Sequence, residues 1–403
     1  MPKMKVPFGT ITITDSAKAL VLEALEKRRV STGKFVREFE EKFAALFGSK
    51  HAVAVSTGTD ADTLALAVLH DLGARRGDEV IVPSLSFVAT GNAVLHAGLT
   101  PRFVDINRDT LNLDPDRIRD AITERTRAIM PVHLMGKPAD MDAIMHIAKE
   151  FGLVVVEDAA EAHAGSYRGK PLGTIGDMGA FSLYVAHIIS TIEGGIIITD
   201  NEQYAEILLS LRAHGRGCKC VQCVLSTAQT YCDKRFNTPD GEDRRFSFER
   251  VGYSAKMNEL EAAVGLGTLE KFDEIVAKRR ANLLFAIEHF KEFAPYLSTI
   301  TEEPWEKIGP HALPIIVNEE ASFSRAQFSC YLEENGVETR TLFASMPTQC
   351  PGFAFLGYEP GEFPEAEYVG KNGLHIGVHH GLGIAEMEYA IDVIRQFLTR
   401  NQD

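Results

Sequence analysis

The chain has 403 residues, 45% of them hydrophobic and 24% charged. That is ordinary globular composition with length for two domains, and it excludes a disordered or collagen-like chain. The 42 Lys and Arg against 56 Asp and Glu leave a formal charge of −14, which excludes a nucleic-acid coat or a basic membrane-surface protein.

No run of apolar residues is long enough and free enough of charge for a transmembrane helix. The first twenty residues, MPKMKVPFGTITITDSAKAL, carry no apolar core of a signal peptide. The expected setting is therefore cytoplasmic, with no nucleic-acid and no membrane partner. Six Cys are too sparse for a disulfide scaffold.

In chain order, helical and strand patterns alternate from residue 34 to about 200. Lys34–Phe47 is amphipathic at helical spacing, Ala52–Ser56 is a short apolar strand, and Asp60–Leu72 is a helix. Glu79–Val82 is a strand, Ala89–Ala97 a helix, Thr100–Val104 a strand, Leu113–Thr123 a helix and Arg127–Val132 a strand. Asp140–Phe151 is helical with Asp140 as N-cap, and the strands Leu153–Glu157, Gly179–Leu183 and Gly195–Thr199 follow. Such alternation predicts a largely parallel sheet covered on both faces. From Gly217 to Phe248 the pattern breaks, in a stretch longer than a routine connection. Helical periodicity returns over Asn258–Phe290 as one long helix. After Ala294 comes a smaller α+β unit with strands at Ala312–Val317 and Leu374–Val378 and a last helix at Ala385–Thr399. Two domains are expected, residues 1–255 and 256–403, with the insertion at 217–248 in the first.

Ligands of parallel α/β sheets bind beyond the carboxyl ends of the strands. After Ala52–Ser56 comes Thr57-Gly58-Thr59, opening a helix. Gly58 permits close backbone approach, Thr59 offers a hydroxyl and the helix start offers free N–H groups, which together suit a phosphate. The plain alternative is an N-cap at Thr59. After the next strand, Phe87 stands where an aromatic ring can cover a flat ligand, or else fill the core. Asp158, at the end of Leu153–Glu157, can hold a protonated ring nitrogen, as a pyridoxal-type cofactor requires, or can simply cap a helix. Ser182 and His187 follow the strand at Gly179–Leu183 and face the same crevice, His187 as a structural or a catalytic imidazole.

These segments together resemble the DegT/DnrJ/StrS sugar aminotransferase family of pyridoxal-phosphate proteins. The matching stretches are STGTDADTLAL (56–66), PSLSFVATGNAVLHAGLTPRFVDI (83–106), PVHLMGKPADM (131–141), VVVEDAAEAHAGSYRGKPLGTIGDMGAFSLY (154–184), EGGIIIT (193–199) and VGYSAKMNELEAAVG (251–265). The resemblance implies a type I aminotransferase fold: a large α/β domain with a mostly parallel seven-stranded sheet, and a smaller C-terminal α+β domain. It implies a homodimer with active sites at the subunit interface. It also implies that Gly58, Thr59 and Ser182 bind the cofactor phosphate, that Phe87 stacks on the ring, that Asp158 contacts the ring nitrogen, and that Glu161 and His163 lie close by. Where relatives carry an Asn reaching the neighbouring subunit's phosphate, this chain has Ser254.

The departure is His187. In the aminotransferases this position carries the lysine that bonds the cofactor aldehyde, and here no Lys occurs between Lys170 and Lys219. An imidazole forms no such bond but exchanges protons near neutral pH. The same Lys-to-His change marks a small branch of the family, the nucleotide-4-keto-6-deoxyhexose 3-dehydratases. The resemblance therefore implies pyridoxamine 5′-phosphate, interconvertible with pyridoxal 5′-phosphate, as cofactor and a nucleotide-linked 4-keto-6-deoxy sugar as substrate. Loss of the sugar's C3 hydroxyl would be the reaction, in deoxysugar biosynthesis. TRTLFASMPTQCPGF (339–353) and LHIGVHHGL (374–382) are similar to the same branch, with Arg340 as a substrate contact. The alternatives are a nucleotide-sugar aminotransferase and a noncatalytic sugar- or cofactor-binding scaffold.

Cys218, Cys220, Cys223 and Cys232 fall within one loop, a donor set that suits tetrahedral Zn or an iron–sulfur cluster. The CDP-sugar side of the branch carries a [2Fe–2S] cluster fed by a separate reductase, and Cys218-Lys219-Cys220 and Cys232-Asp233-Lys234-Arg235-Phe236 resemble its motifs. Its remaining ligand position is Ala160 here, with Cys223 as the substitute. Cys330 and Cys350 are isolated and read as ordinary small residues.

Overall fold

Strands rich in β-branched residues alternate with amphipathic helices, and in the computed structural model the strands close into one sheet. The structure describes residues 4–218, 220, 223–227 and 230–401, without the side chains of 226 and 227. The sheet is built from β1 (His51–Val55), β2 (Glu79–Pro83), β3 (Thr100–Val104), β4 (Thr126–Ile129), β5 (Val154–Asp158), β6 (Met178–Ser182) and β7 (Gly195–Thr199). In space the order is β1-β7-β6-β5-β4-β2-β3. The β6-β5-β4-β2-β3 run is parallel, and β7 is antiparallel to both β1 and β6. This is the mostly parallel seven-stranded sheet expected.

Both faces are buried, as the near-continuous apolar strands require. Neighbouring residues of one strand point into different cores. Ile81 and Val155 pack with Phe39 and Phe43, whereas Val82 and Val156 pack with Leu64 and Leu66. The first core is covered by α2 (Lys34–Phe47), whose Phe35, Phe39, Phe43 and Phe47 recur every four residues and are all buried. The second is filled by α3 (Gly58–Asp71), buried along most of its length.

The predicted single helix at 258–290 is two. A helix over Glu259–Glu270 packs on α2 and on an N-terminal helix, Asp15–Glu26, for which the sequence reading has no counterpart. Its successor, Phe272–Phe290, packs on the C-terminal helix Ile384–Arg400. The break is at Lys271 (φ −106°, ψ 5°), and the acidic pair Asp273-Glu274 then opens a new first turn. Apolar periodicity runs across the junction, so the pattern alone carries no mark of the turn.

The smaller unit holds an antiparallel sheet of β8 (Leu297–Ser298), β9 (Ala312–Val317), β10 (Thr339–Thr341) and β11 (Gly373–Gly377), in the order β8-β9-β11-β10. Among the described residues between Gly217 and Phe248 the backbone is mostly irregular, with a short helical turn at Val224–Thr227 and a tight turn at Arg244–Phe246. The N–H of Gly217 donates to the Ser247 carbonyl at 2.9 Å and closes the base of this loop. Among the described residues, no helix is long and apolar enough to cross a membrane.

Candidate active site

The carboxyl ends of β1, β5 and β6 meet at one crevice, and each delivers a group the sequence singled out. At β1 the chain turns into α3. Thr57, not Thr59, is the N-cap: its hydroxyl accepts the Asp60 N–H at 3.0 Å and donates to the Asp60 carboxylate at 3.0 Å. The cap therefore lies one residue before Gly58, and Thr59 sits in the first helical turn, free of the capping role. A Cβ on Gly58 would stand 2.7 Å from the Ser182 Cβ. Gly58 and Ser182 are thus in direct contact across the start of α3. Behind them Gly195 lies so close to the Thr57 carbonyl that a side chain there would stand 2.1 Å from it. A free helix N-terminus, a bare backbone and a hydroxyl at one point suit a phosphate.

Glu157 and Asp158, adjacent on β5, do different work because they face opposite sides of the sheet. Glu157 accepts from His133 Nε2 at 2.9 Å and from the N–H groups of Gly173, Ile175 and Gly176, so it fixes a loop. His133 Nδ1 accepts the Ala139 N–H at 3.1 Å, which makes Nε2 the donor. Asp158 opens to the crevice. Thr90, in the helix Val88–His96, donates its hydroxyl to Asp158 Oδ2 at 2.8 Å, and the Ala160 N–H donates to Oδ1 at 3.2 Å. Burial raises the Asp158 pKa, against the Thr90 and Ala160 hydrogen bonds that lower it. A cationic ring nitrogen docked there would offset the burial. Phe87 caps the start of the Val88–His96 helix and is 57% exposed, its ring 5.6 Å from that of Phe343.

Glu161 and His163 flank the crevice. The Met135 N–H donates to Glu161 Oε2 at 2.7 Å, and burial pushes the Glu161 pKa up to about 8, with the Asp158 charge adding to it. Glu161 is therefore a neutral acid at pH 7. His163 is enclosed by Phe43, Phe47 and Phe181, and neither of its ring nitrogens has a hydrogen-bond partner among the described residues. Burial, then the charges of His187 and Arg279, hold it well below the usual imidazole range.

His187 lies in the loop after β6, its ring centroid 6.2 Å from His163 and 5.1 Å from His311. Its Nδ1 is enclosed without a partner among the described residues. Burial, and behind it the Arg279 charge, push its pKa down to about 3. The residue as a whole is half-buried, and solvent moderates that shift. In either case it is a neutral base at pH 7.

Gly58, Thr59, Asp158, Glu161, His163, Ser182 and His187 thus converge. Two other predicted positions stand apart. Arg340 lies on β10, paired in register with His375 and stacked over Phe8 at 3.7 Å, and reaches the crevice only through the aromatic chain His375, Phe343 and Phe87. Ser254 is exposed and bridges to Ala213. Three site residues escaped the sequence reading. Thr90 holds Asp158. Asp62 is buried beside Asp158, with Oδ1 unpartnered among the described residues and its pKa raised well above the carboxylate range by burial. His311 Nε2 lies 3.4 Å from Glu161 Oε1. Thr90 sits one helical turn after Ser86, to whose hydroxyl it bonds, and that spacing was the available signal.

The four loop cysteines line a common cavity of about 250 Å³ with Lys234, Arg235, Arg244 and Arg245. All are free thiols. The predicted ligand set does not close: among the described residues, no group of three or more His, Cys, Asp or Glu stands close enough to hold a metal ion. Lys219, Val221 and Gln222, between the first three cysteines, lie outside the described residues.

The chain is similar to known proteins over nearly its whole length. The dTDP-4-dehydro-2,6-dideoxy-D-glucose 3-dehydratase of Saccharopolyspora spinosa is 36% identical over 408 residues, spanning 98% of this chain and 87% of its own. The structure of Escherichia coli GDP-4-keto-6-deoxy-D-mannose-3-dehydratase with bound hydrated PLP matches with a TM-score of 0.84 at 29% identity, over 98% of this chain and 100% of that one. The aminotransferase from Psychrobacter cryohalolentis matches with a TM-score of 0.86 at 28% identity, over 98% of this chain and 100% of that one. The α/β architecture is that of the PLP-dependent aminotransferases. The profile of the DegT/DnrJ/EryC1/StrS aminotransferase family matches residues 12–395, and the chain belongs to that family.

Proposed function

We propose that the protein is a nucleotide-4-keto-6-deoxysugar 3-dehydratase that works with pyridoxamine 5′-phosphate. The observation that carries this reading is the neutral imidazole of His187 in the crevice, at the place where an aminotransferase of this family has its lysine. The crevice suits the cofactor on its own terms. Asp158 is buried with its pKa raised, the Gly58–Ser182 contact leaves bare backbone at a helix start, and Phe87 is an open ring. When bound, pyridoxamine phosphate supplies an amine that condenses with the sugar's C4 ketone and a ring that takes up electrons.

The chain's residues do the rest. Gly58, Thr59 and Ser182 bind the phosphate, and Phe87 covers the ring. Asp158, oriented by Thr90, keeps the ring nitrogen protonated. His187 takes a proton from the C4′ carbon and returns one to the departing C3 hydroxyl, which leaves as water. One group serving as base and then acid suits an imidazole. Retaining a lysine would favour amine exchange; its absence favours elimination.

The loop cysteines support a finer reading, a [2Fe–2S] cluster with a reductase as electron donor, with structural Zn as the alternative. Their chemistry and shared cavity suit a thiolate-bound cluster. Exposed Tyr231, Phe246 and Phe248 in this loop and Val251 just after it, with exposed Ser254, suit a homodimer interface.

The test is anaerobic incubation with pyridoxamine phosphate and a 4-keto-6-deoxy nucleotide sugar. Loss of the C3 oxygen by mass spectrometry is expected. Recovery of a 4-amino sugar instead, with a borohydride-trapped lysine adduct, would identify an aminotransferase, and neither product would leave a binding scaffold. Iron without zinc in anaerobically purified protein supports the cluster; stoichiometric zinc rejects it.

A further inference from the structure

Arg279, on the Phe272–Phe290 helix, is 1% exposed and has no carboxylate at salt-bridge distance among the described residues. A buried, unpaired guanidinium is costly, so what it touches matters. Among the described residues its hydrogen bonds go to main-chain carbonyls. Nη2 faces those of Ala186 at 3.4 Å and His187 at 3.5 Å, while Nη1 faces those of Pro310 at 3.5 Å and His311 at 3.3 Å. One planar fork thus spans the loop after β6 and the lead-in to β9, the two segments that carry the facing imidazoles.

We propose that Arg279 is the positioning residue of His187, clamping the His187 and His311 segments together from beneath and setting the imidazole at its working place. The inference rests on the reading of His187 as the proton-transfer group. The fork fixes two carbonyls on each arm, so a change of shape at Arg279 moves both rings. Its charge also bears on His187, His163, His311, His379 and His380, in each of which it lowers the pKa after burial. Around His187 the other facing groups are Tyr184, His163 and His311. On the helix of Arg279 itself, Asn282 bonds the carbonyls of Val378, His379 and Leu382, and Lys278 and Glu274 face His380. Among these neighbours Arg279 alone joins both imidazole segments.

The test uses Arg279→Met and Arg279→Lys in the full chain. In Arg279→Met, kcat should fall by about a hundredfold with KM for the sugar within about threefold, the signature of misplacement rather than lost binding. A second readout needs no turnover. The pH dependence of His187 carbethoxylation by diethylpyrocarbonate, followed by peptide mass mapping in cofactor-free protein, should shift to higher pH in Arg279→Met and stay near the wild-type profile in Arg279→Lys. Unchanged carbethoxylation and kcat in a folded Arg279→Met protein would overturn the proposal. If that variant does not fold, Arg279→Lys decides: it keeps the charge and loses the fork, so an unchanged kcat overturns the clamp. If no sugar is dehydrated by any of these proteins, the limiting rate of His187 carbethoxylation at high pH, which follows the placement of the ring and not its charge, decides: a changed rate in Arg279→Lys supports the clamp and counts against the 3-dehydratase reading instead, and an unchanged rate overturns the clamp.

Discussion

The imidazoles of His187 and His311 face each other with ring centroids 5.1 Å apart and planes tilted by 35°. His311 in turn holds Nε2 3.4 Å from the Glu161 carboxyl. A neutral acid, Glu161, and two neutral imidazoles, His311 and His187, are therefore successive neighbours, and burial is the main cause of each perturbed pKa.

The first prediction concerns His187 itself. His187→Asn, which keeps size and removes the base, should lower kcat by roughly 10²–10⁴ with little change in stability. His187→Lys should bond the aldehyde of added pyridoxal phosphate covalently, visible as a borohydride-stable mass on the peptide holding residue 187. An unmodified peptide and an unshifted absorption band would place the cofactor aldehyde elsewhere.

The pH profile follows from the same burial. His187 is depressed below its ordinary range, so it remains a base well below pH 6.5. The acid limb of kcat/KM should fall below about pH 5, where an ordinary imidazole would place it near 6.5. For stability the sign is the usual one for a depressed histidine. The unfolded chain takes up the proton below pH 6.5 while the folded chain resists it down to about 3, so stability drains as pH falls through that window. An acid limb at 6.5 would mean the ring is solvated during turnover.

Glu161 gives the opposite window. Its folded pKa is raised from 4.5 to about 8, so the unfolded chain has the lower pKa and stability falls as pH rises from 4.5 to 8, then levels. Glu161→Gln mimics the neutral acid. It should therefore raise the melting temperature at pH 8 relative to wild type, by an amount corresponding to a few kcal/mol at most, while changing it little at pH 4.5. Equal shifts at both pH values would rule out a protonated Glu161.

What the sequence made legible divides by periodicity. Strand positions and the largely parallel sheet follow from short apolar runs alternating with period-3.6 patterns, which burial on both faces enforces, and the crevice residues follow from their place at the strand ends. The break at Lys271 is invisible because apolar spacing runs through it. Thr90, Asp62 and His311 join the site only through contacts distant in sequence, such as the 68 residues between Thr90 and Asp158. Local patterns carry no record of such pairings. The cysteine spacing did suggest a closed ligand set, but spacing along a loop does not fix side-chain distances: the four thiols share a cavity, yet among the described residues no group of three or more donors stands close enough to hold a metal ion.

Asp158→Asn separates function from stability. The carboxyl is buried with a raised pKa, and the Thr90 hydroxyl can still donate to the amide oxygen. Melting of the cofactor-free protein should hold or rise, while pyridoxamine phosphate binding weakens and turnover falls by about a hundredfold or more. A large loss of stability without cofactor would make Asp158 a structural carboxylate.

Gly58→Ala tests the phosphate cradle by volume alone. Gly58 is not in a left-handed conformation, so alanine adds no backbone strain. The new methyl would meet Ser182 Cβ at 2.7 Å, Oγ at 2.9 Å and Cα at 3.1 Å, and Cβ and Cα, fixed by the backbone, do not yield as the tip of a long flexible side chain would. Either the start of α3 or the end of β6 must shift, and both sides of the cradle then lose register. Affinity for pyridoxamine phosphate should fall at least about tenfold, which is about 1.4 kcal/mol. The double variant Gly58→Ala/Ser182→Gly removes the two closest atoms, so it should relieve the clash while still lacking the Ser182 hydroxyl. Its affinity should lie above that of Gly58→Ala and below wild type. If the double variant binds no better than Gly58→Ala, the close approach of these two residues is not what shapes the cradle.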